Sequence, residues 1–537
     1  MLVTGFSLLI VFPLKGQFSL CENSGSFLPG SVIIDMGVSP QTEANGLKPY
    51  GLLYELVNTN KIPVFWSINP GKGSFLATDF TVDGINFRGG PFIIPAEFVP
   101  AAQATINAWT SQGVQVHVAL QAFTPPIYEQ LTYLPNVVLD WQTGNLLQAS
   151  FYLKAGIPPS AYTLSGIPSI IAECDDIYVL PHADPQLWNQ LQRDSLYNFV
   201  NSRGWFFAAC HAVSAIEDLF GGSPSRQLNF LSNTGLVPWT SHGNPTTPYS
   251  YNTATAANPL MQFIGTMDGA LQSGSEQVFI PFSGWRGTTT VAISDPVFPS
   301  VPSGDAALLV YGRAYGDASR GMVMYMAGHS FQAGSVAENV SAGRIYANFW
   351  IRSGIGTRPV ITLNPANPIV ALGGQIVTFS ATAATLYSSI SSWEWTSDCG
   401  GIFSNPFSST TNFTVPGVDV PTVCNIQVKV TDNCGRPDYA CFTITIQPTI
   451  SNNLIAASQI ICSGQTPAML TGTVPTAPEP GWVFTYRWLS STTGPSTGFN
   501  PAPGTNDGQN YTFPGPLVQT TWYRREATSN GVTVVSA

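Results

Sequence analysis

Charge is scarce in this chain. Only 9% of its residues are Asp, Glu, Lys or Arg, lysine is rare, and no basic cluster occurs. With a net charge of −10, nucleic acid and anionic membrane surfaces are excluded as expected partners. No GxGxxG and no P-loop is present, so no dinucleotide or nucleotide cofactor is expected. No CxxC occurs, and the histidines show no paired ligand spacing, so no metal is expected either. Beyond the N-terminus no run is long and apolar enough for a membrane-spanning helix.

Turn-forming residues are abundant, with 50 Gly and 43 Pro. Together with plentiful Ser, Thr and Asn they suit exported β-rich modules. At 537 residues the chain is too long for one core, and three or four domains are expected. The apolar run Gly5–Leu14 has the length of a signal-peptide core, which assigns 1–20 to a signal peptide. No membrane insertion is expected after its cleavage, so the protein reads as secreted or displayed at the cell surface. Of eight cysteines, Cys399, Cys424, Cys434, Cys441 and Cys462 crowd the last third. They read as disulfides of an exported protein, two pairs being expected among the first four, with the pairing open.

From 28 to 355 strand and helix patterns alternate. Ser31–Met36, Pro63–Trp66, Phe92–Pro95, Val114–Leu120, Asp176–Pro181 and Gly204–Ala209 all read as strands. Ala306–Tyr311, within a Gly- and Pro-rich stretch at 221–320 that reads as an insertion, and Met322–His329, after it, resume the strand pattern. Such alternation argues for a parallel sheet covered on both faces, with its sites at the C-terminal strand ends. Beyond Thr357 short alternating runs with frequent turns predict two β-sandwich modules, at 357–448 and 449–537. The chain stops at Val534–Ala537 without a polar tail, which reads as a fragment of a longer protein.

The strongest chemical signal is Gly204–Ala215, an apolar strand that stops at Cys210-His211 and continues into a helix. A cysteine at such an elbow is a candidate nucleophile, its thiolate favoured by the helix N-terminus. The bland alternative is an inert buried cysteine. A thiol nucleophile needs a base and an orienting acid. His329, at the end of another strand, and His211 are the candidate bases. His182 could line the same edge or sit in a turn, His117 reads as structural and His242 as solvated. Asp35 and Glu97, each at or just past a strand end, are the candidate acids, with Glu217 beside them as a complement to the elbow helix dipole. Each acid alone could equally be a solvated or capping carboxylate.

Asp175–Pro181, the Cys210 elbow and Ala327-Gly328-His329 make 28–355 resemble the class I glutamine amidotransferase-like superfamily, which also contains the DJ-1/PfpI proteins. The resemblance implies an α/β flavodoxin-like parallel sheet and a Cys-His-Glu triad whose first two members map to Cys210 and His329. The sequence departs from that pattern. Ala208 and Ala212 stand where the elbow has glycines, and Phe331 stands where the acid falls. Ser392–Trp395 and Val428–Asp432 make 357–448 resemble a PKD-type immunoglobulin-like module. Ile461–Gly464, Tyr486–Trp488 and Thr521–Arg525 resemble repeats of Bacteroidetes surface proteins.

Two functions stay open at this level. One is an exported Cys-dependent hydrolase of amide or peptide-like bonds, acting on a small-molecule, peptide or glycan substrate. The other is a non-catalytic surface adhesion or structural protein with β-sandwich spacers. In the second, Trp285, Trp393, Trp395, Trp482, Trp488 and Trp522 serve either adhesion or the sandwich cores.

Overall fold

The computed structural model describes residues 25–537 apart from 183–186, 203, 218–227, 234–246, 274–278, 282–283, 298–305, 366–368, 386–387, 419–420, 457, 478–480, 530–531 and 537. The expected signal peptide and His242 therefore lie outside the described residues. The chain groups into two units. The first comprises 1–361, 383–392 and 430–438, and the second comprises 362–382, 393–429 and 439–537.

The flavodoxin-like expectation is overturned. Strand accounts for 34% of the structure and helix for 22%, and the strands expected in one parallel sheet divide between two. Val32–Ile34, Val64–Ser67, Phe92–Ile94, Val116–Val118 and Ile127–Leu131 form a separate five-stranded sheet. All its pairings are antiparallel. Short apolar runs carry no mark of pairing direction, so periodicity alone could not assign them.

The second sheet has eight strands and is mixed. Tyr162–Gly166, Val137–Asp140, Ile177–Leu180, Trp205–Ala209 and Met322–Met326 pair in parallel. Ala307–Arg313, Thr290–Ser294 and Ser250–Tyr251 extend the sheet antiparallel. Four of the parallel strands, all but the edge strand Tyr162–Gly166, are fully buried runs, as a sheet covered on both faces requires.

The helix Val336–Ile355 joins the cores of both sheets. Ser335 and Glu338 form its capping box, and 14 of its 20 residues are buried. A helix buried on nearly every side belongs inside a core rather than on a surface. One core cluster contains Ile34, Trp66 and Phe92 of the first sheet, Val179, Phe207 and Met324 of the second, and Tyr346 and Trp350 of the helix. Arg344 of the same helix is completely buried. Its Nη1 donates to Met36 O and Gln41 Oε1 and its Nη2 to Gly89 O, each at 2.7 Å.

Asp176 is likewise an anchor. It accepts from Tyr133 Oη at 2.7 Å and from the Asn136 amide at 2.9 Å. Arg436, in the 430–438 segment of this unit, pairs with it at 3.0 Å. The Cys174–Cys434 disulfide closes the same place. Cys434 thus reaches across 260 residues rather than to a neighbour in the late cluster, a pairing no sequence spacing announces. Cys399–Cys424 is a local bridge, Cys441 is also disulfide-bonded, and Cys210 and Cys462 are not in disulfides.

Two four-stranded sheets occupy residues 360–447. Trp395 stacks on Phe379 and Phe442 in their core. The last module pairs Thr485–Ser491 with Trp522–Ser529, flanked by Asn500–Pro501 and Val532–Val535. Arg525 is buried there, donating to Asn453 Oδ1, Gln509 O and Thr473 O. The Tyr486–Trp488 and Thr521–Arg525 motifs therefore each place a fully buried residue, Trp488 and Arg525, in the core. Trp395 and Trp488 are buried, and Trp285, Trp393, Trp482 and Trp522 are half-buried. Among the described residues no helix is long and apolar enough to cross a membrane.

Candidate functional site

Three parallel strands of the mixed sheet deliver histidine and cysteine to one edge. The strand Ile177–Leu180 runs into Pro181-His182, Trp205–Ala209 into Cys210-His211, and Met322–Met326 into Ala327-Gly328-His329. These strands are consecutive neighbours in register, so their C-terminal ends lie side by side. One ligand atom each from His182, Cys210 and His329 lies within 4.8 Å of the others. The His182 ring is 5.2 Å from that of His211 and 4.8 Å from that of His329. Cys210 Sγ is 3.8 Å from His211 Nδ1.

Local structure holds each member. Cys210 adopts φ +49° directly after extended Ala209, a left-handed turn that costs a non-glycine residue energy and points to a functional constraint. Cys210 itself is completely buried, while His182, His211 and His329 are half-buried. The helix behind the thiol is short, a 3-10 turn at Cys210–Ala212 and then Val213–Ile216. That is too few aligned peptides for the dipole expected from the sequence.

His182 is fixed through its backbone. Its amide donates to Thr143 Oγ1 at 3.0 Å, and its carbonyl accepts from the same hydroxyl. The turn carrying His329 wraps around Ser273 Oγ, which accepts from the amides of His329, Ser330 and Phe331. Gly328 is required there. Its φ is +77°, and a Cβ would meet Ser273 Oγ at 2.9 Å and Leu271 O at 3.0 Å. His329 Nδ1 is buried without a hydrogen-bond partner among the described residues. Burial, helped by the charge of His211, holds the His329 imidazole below the ordinary histidine pKa, favouring its neutral form.

The candidate acids are elsewhere. Asp35 follows a strand of the antiparallel sheet, accepts from the Gly37 amide at 2.8 Å and is pushed up by burial, with that amide, Arg344, Arg88 and His117 opposing. Glu97 is exposed in the 3-10 turn Ala96–Phe98. The separation follows from the division into two sheets. His117 pairs with Asp83 at 2.7 Å. Glu217 ends its helix instead of beginning it and is completely buried. Its Oε1 accepts from the Ser232 amide at 3.0 Å, and burial pushes its pKa up to about 7. Sequence reasoning missed Ser273, which sits in the turn-rich insertion without any motif around it.

A family model described as "Domain of unknown function (DUF8696)" matches residues 451–537. No curated protein matches the chain. Similar solved structures include fibronectin(III)-like modules of CbhA from Clostridium thermocellum, at 18% identity, 17% of this chain, 99% of that chain and TM-score 0.13. The SrpA adhesin from Streptococcus sanguinis is 16% identical over 20% of this chain and 67% of that chain, with TM-score 0.15. Tandem Ig repeats of Dlar are 18% identical over 34% of this chain and 95% of that chain, with TM-score 0.14.

These findings correct the expected kinship. No amidotransferase family matches, and in the Asp175–Pro181 run that suggested one, Asp176 is occupied in pairing with Arg436. Among the described residues, the region beyond 360 has two four-stranded sheets at 360–447, a further four-stranded sheet within 485–535, and disulfide-bonded cysteines.

Proposed function

We propose that this protein is a non-catalytic surface or secreted protein, in which disulfide-bonded β-sandwich modules serve adhesion or act as structural spacers. The observation that carries this reading is the pair of bridges Cys174–Cys434 and Cys399–Cys424, because such bonds persist in oxidising compartments and are rare in reducing ones. The tryptophans support spacing more than ligand display, since none of the six singled out is exposed. Protease treatment of intact cells producing the native chain tests the proposal. The reading expects the protein to be cleaved while a cytoplasmic marker survives. Protection until lysis overturns it.

A second reading is favoured by the left-handed turn at Cys210. It keeps Cys210 as a nucleophile with His211 or His329 as base, for hydrolysis of amide or peptide-like bonds. Asp35 and Glu97, the acids expected from the sequence, lie on elements of the other sheet. Alkylation of Cys210 against pH, in the native chain and in His329→Ala, tests it. Fast alkylation below the free-thiol range of about 8.5, slowed by the substitution, supports it. Equal, slow alkylation in both removes it.

A further inference from the structure

The cluster at the strand ends holds one thiol and several imidazoles, and its geometry points past a nucleophile. We propose that His182, Cys210 and His329 form a binding site for a borderline-soft divalent transition metal, zinc in the first place. Zinc takes sulfur and imidazole nitrogen in a tetrahedron, and catalytic-type sites use three protein ligands with a fourth position left for water or a small ligand. At zinc–sulfur and zinc–nitrogen distances of about 2.3 and 2.0 Å, neighbouring ligand atoms sit about 3.3 to 3.6 Å apart. Here one ligand atom from each residue lies within 4.8 Å of the others, close enough for side-chain rotation to bring them to those distances.

A second observation points the same way. His329 Nδ1 is buried and has no hydrogen-bond partner among the described residues, which leaves an unmet acceptor or donor at a cost that coordination or a further bond would remove. The backbone around each ligand is already held, by Thr143 at His182, by Ser273 and Gly328 at His329, and by the Cys210 turn. Such preorganisation lowers the cost of binding. His211, 3.8 Å from the sulfur through Nδ1, stands where it can donate a hydrogen bond to the coordinated thiolate. On binding, the thiol proton leaves to solvent and the thiolate becomes a ligand. Metal occupancy therefore competes with the nucleophile reading and is independent of the surface-protein reading.

The other group with ligand-like spacing, Asp398 with Cys399 and Cys424, is ruled out because both sulfurs are in a disulfide. The histidine spacing in the sequence hid the first group, since its ligands come from three strands.

Titration of the full chain with Co²⁺, read by thiolate-to-cobalt charge-transfer absorption and followed by displacement with Zn²⁺, tests the proposal. One equivalent should bind with a charge-transfer band and be displaced by zinc. Cys210→Ser should abolish the band, and His329→Ala and His182→Ala should each weaken binding at least tenfold. Cys462→Ser should change nothing, because that exposed thiol lies in the other unit. Circular dichroism identifies any variant that fails to fold. If Cys210→Ser does so, the half-exposed His182→Ala and the Cys462→Ser control decide. Absence of a charge-transfer band in the native chain overturns the site, as does a band that survives in Cys210→Ser, cobalt affinity unchanged in His182→Ala, or a band that vanishes in Cys462→Ser.

Discussion

Replacing Glu217 by Gln should flatten the pH dependence of the first unit's stability. The carboxyl is completely buried, and burial raises its pKa from 4.5 to about 7. The unfolded chain therefore ionises this group first as pH rises. Below 4.5 both states hold the proton and the group adds no pH dependence. Between 4.5 and about 7 the folded state keeps a proton that the unfolded state has lost, so stability falls as pH rises. At about 1.4 kcal/mol per pKa unit, the full loss is about 3 kcal/mol, of which about 2 to 3 falls between pH 5 and pH 8. The substituted side chain would keep the acceptor for Ser232 but place an amide where Oε2 has no partner among the described residues, at a pH-independent cost of about 1–3 kcal/mol. Urea unfolding of native chain and variant at pH 5, 6, 7 and 8 measures the difference. The variant should gain about 2 to 3 kcal/mol on the native chain across that range. Parallel pH profiles would mean that Glu217 is hydrated in solution and keeps an ordinary carboxyl pKa.

Three further outcomes are expected. Lys72 and Asp79 form a buried pair at 2.8 Å, supported by Gln262, so Lys72→Met should cost about 3–5 kcal/mol by stranding the carboxylate, read by denaturant unfolding. Loss of less than about 1 kcal/mol would mean that water reaches Asp79. Gly472→Ala should destabilise the last module strongly, because its Cβ would meet Arg525 Nη1 at 1.9 Å and Gln509 O at 2.8 Å. A thermal scan of the variant showing an unchanged transition would contradict that packing. Cys174→Ser should cost the first unit about 2–4 kcal/mol, as expected for a bridge closing a long loop, and proteolysis near residue 434 should accelerate.

Much of the layout is legible in the residues. The apolar runs ending at Leu180, Ala209 and Met326 are strands whose ends carry His182, Cys210 and His329. Each run is buried on both faces and bounded by turn residues, and that pattern survives in one dimension. Pairing direction does not. The strand Val32–Ile34 looks like the others yet pairs antiparallel on both sides, which takes Asp35 out of the sheet that holds Cys210. Anchors made by single distant contacts are also silent. Ser273 beneath His329, and Arg436 on Asp176, depend on chain segments separated by many residues from what they hold. The tryptophan motifs of the late modules are ambiguous in sequence because core and ligand-binding aromatics share a composition. Burial of Trp395 and Trp488 decides for core.

We read the chain as an oxidised, exported protein, braced by Cys174–Cys434 in its first unit and by Cys399–Cys424 in a sandwich module. Non-reducing peptide mapping of the chain isolated from its native cells, with free thiols blocked at lysis, tests it most directly. Linked Cys174–Cys434 and Cys399–Cys424 peptides are expected, with Cys462 blocked at once and Cys210 blocked only after denaturation. Blocked, unlinked Cys174, Cys399, Cys424 and Cys434 in the native chain would contradict it.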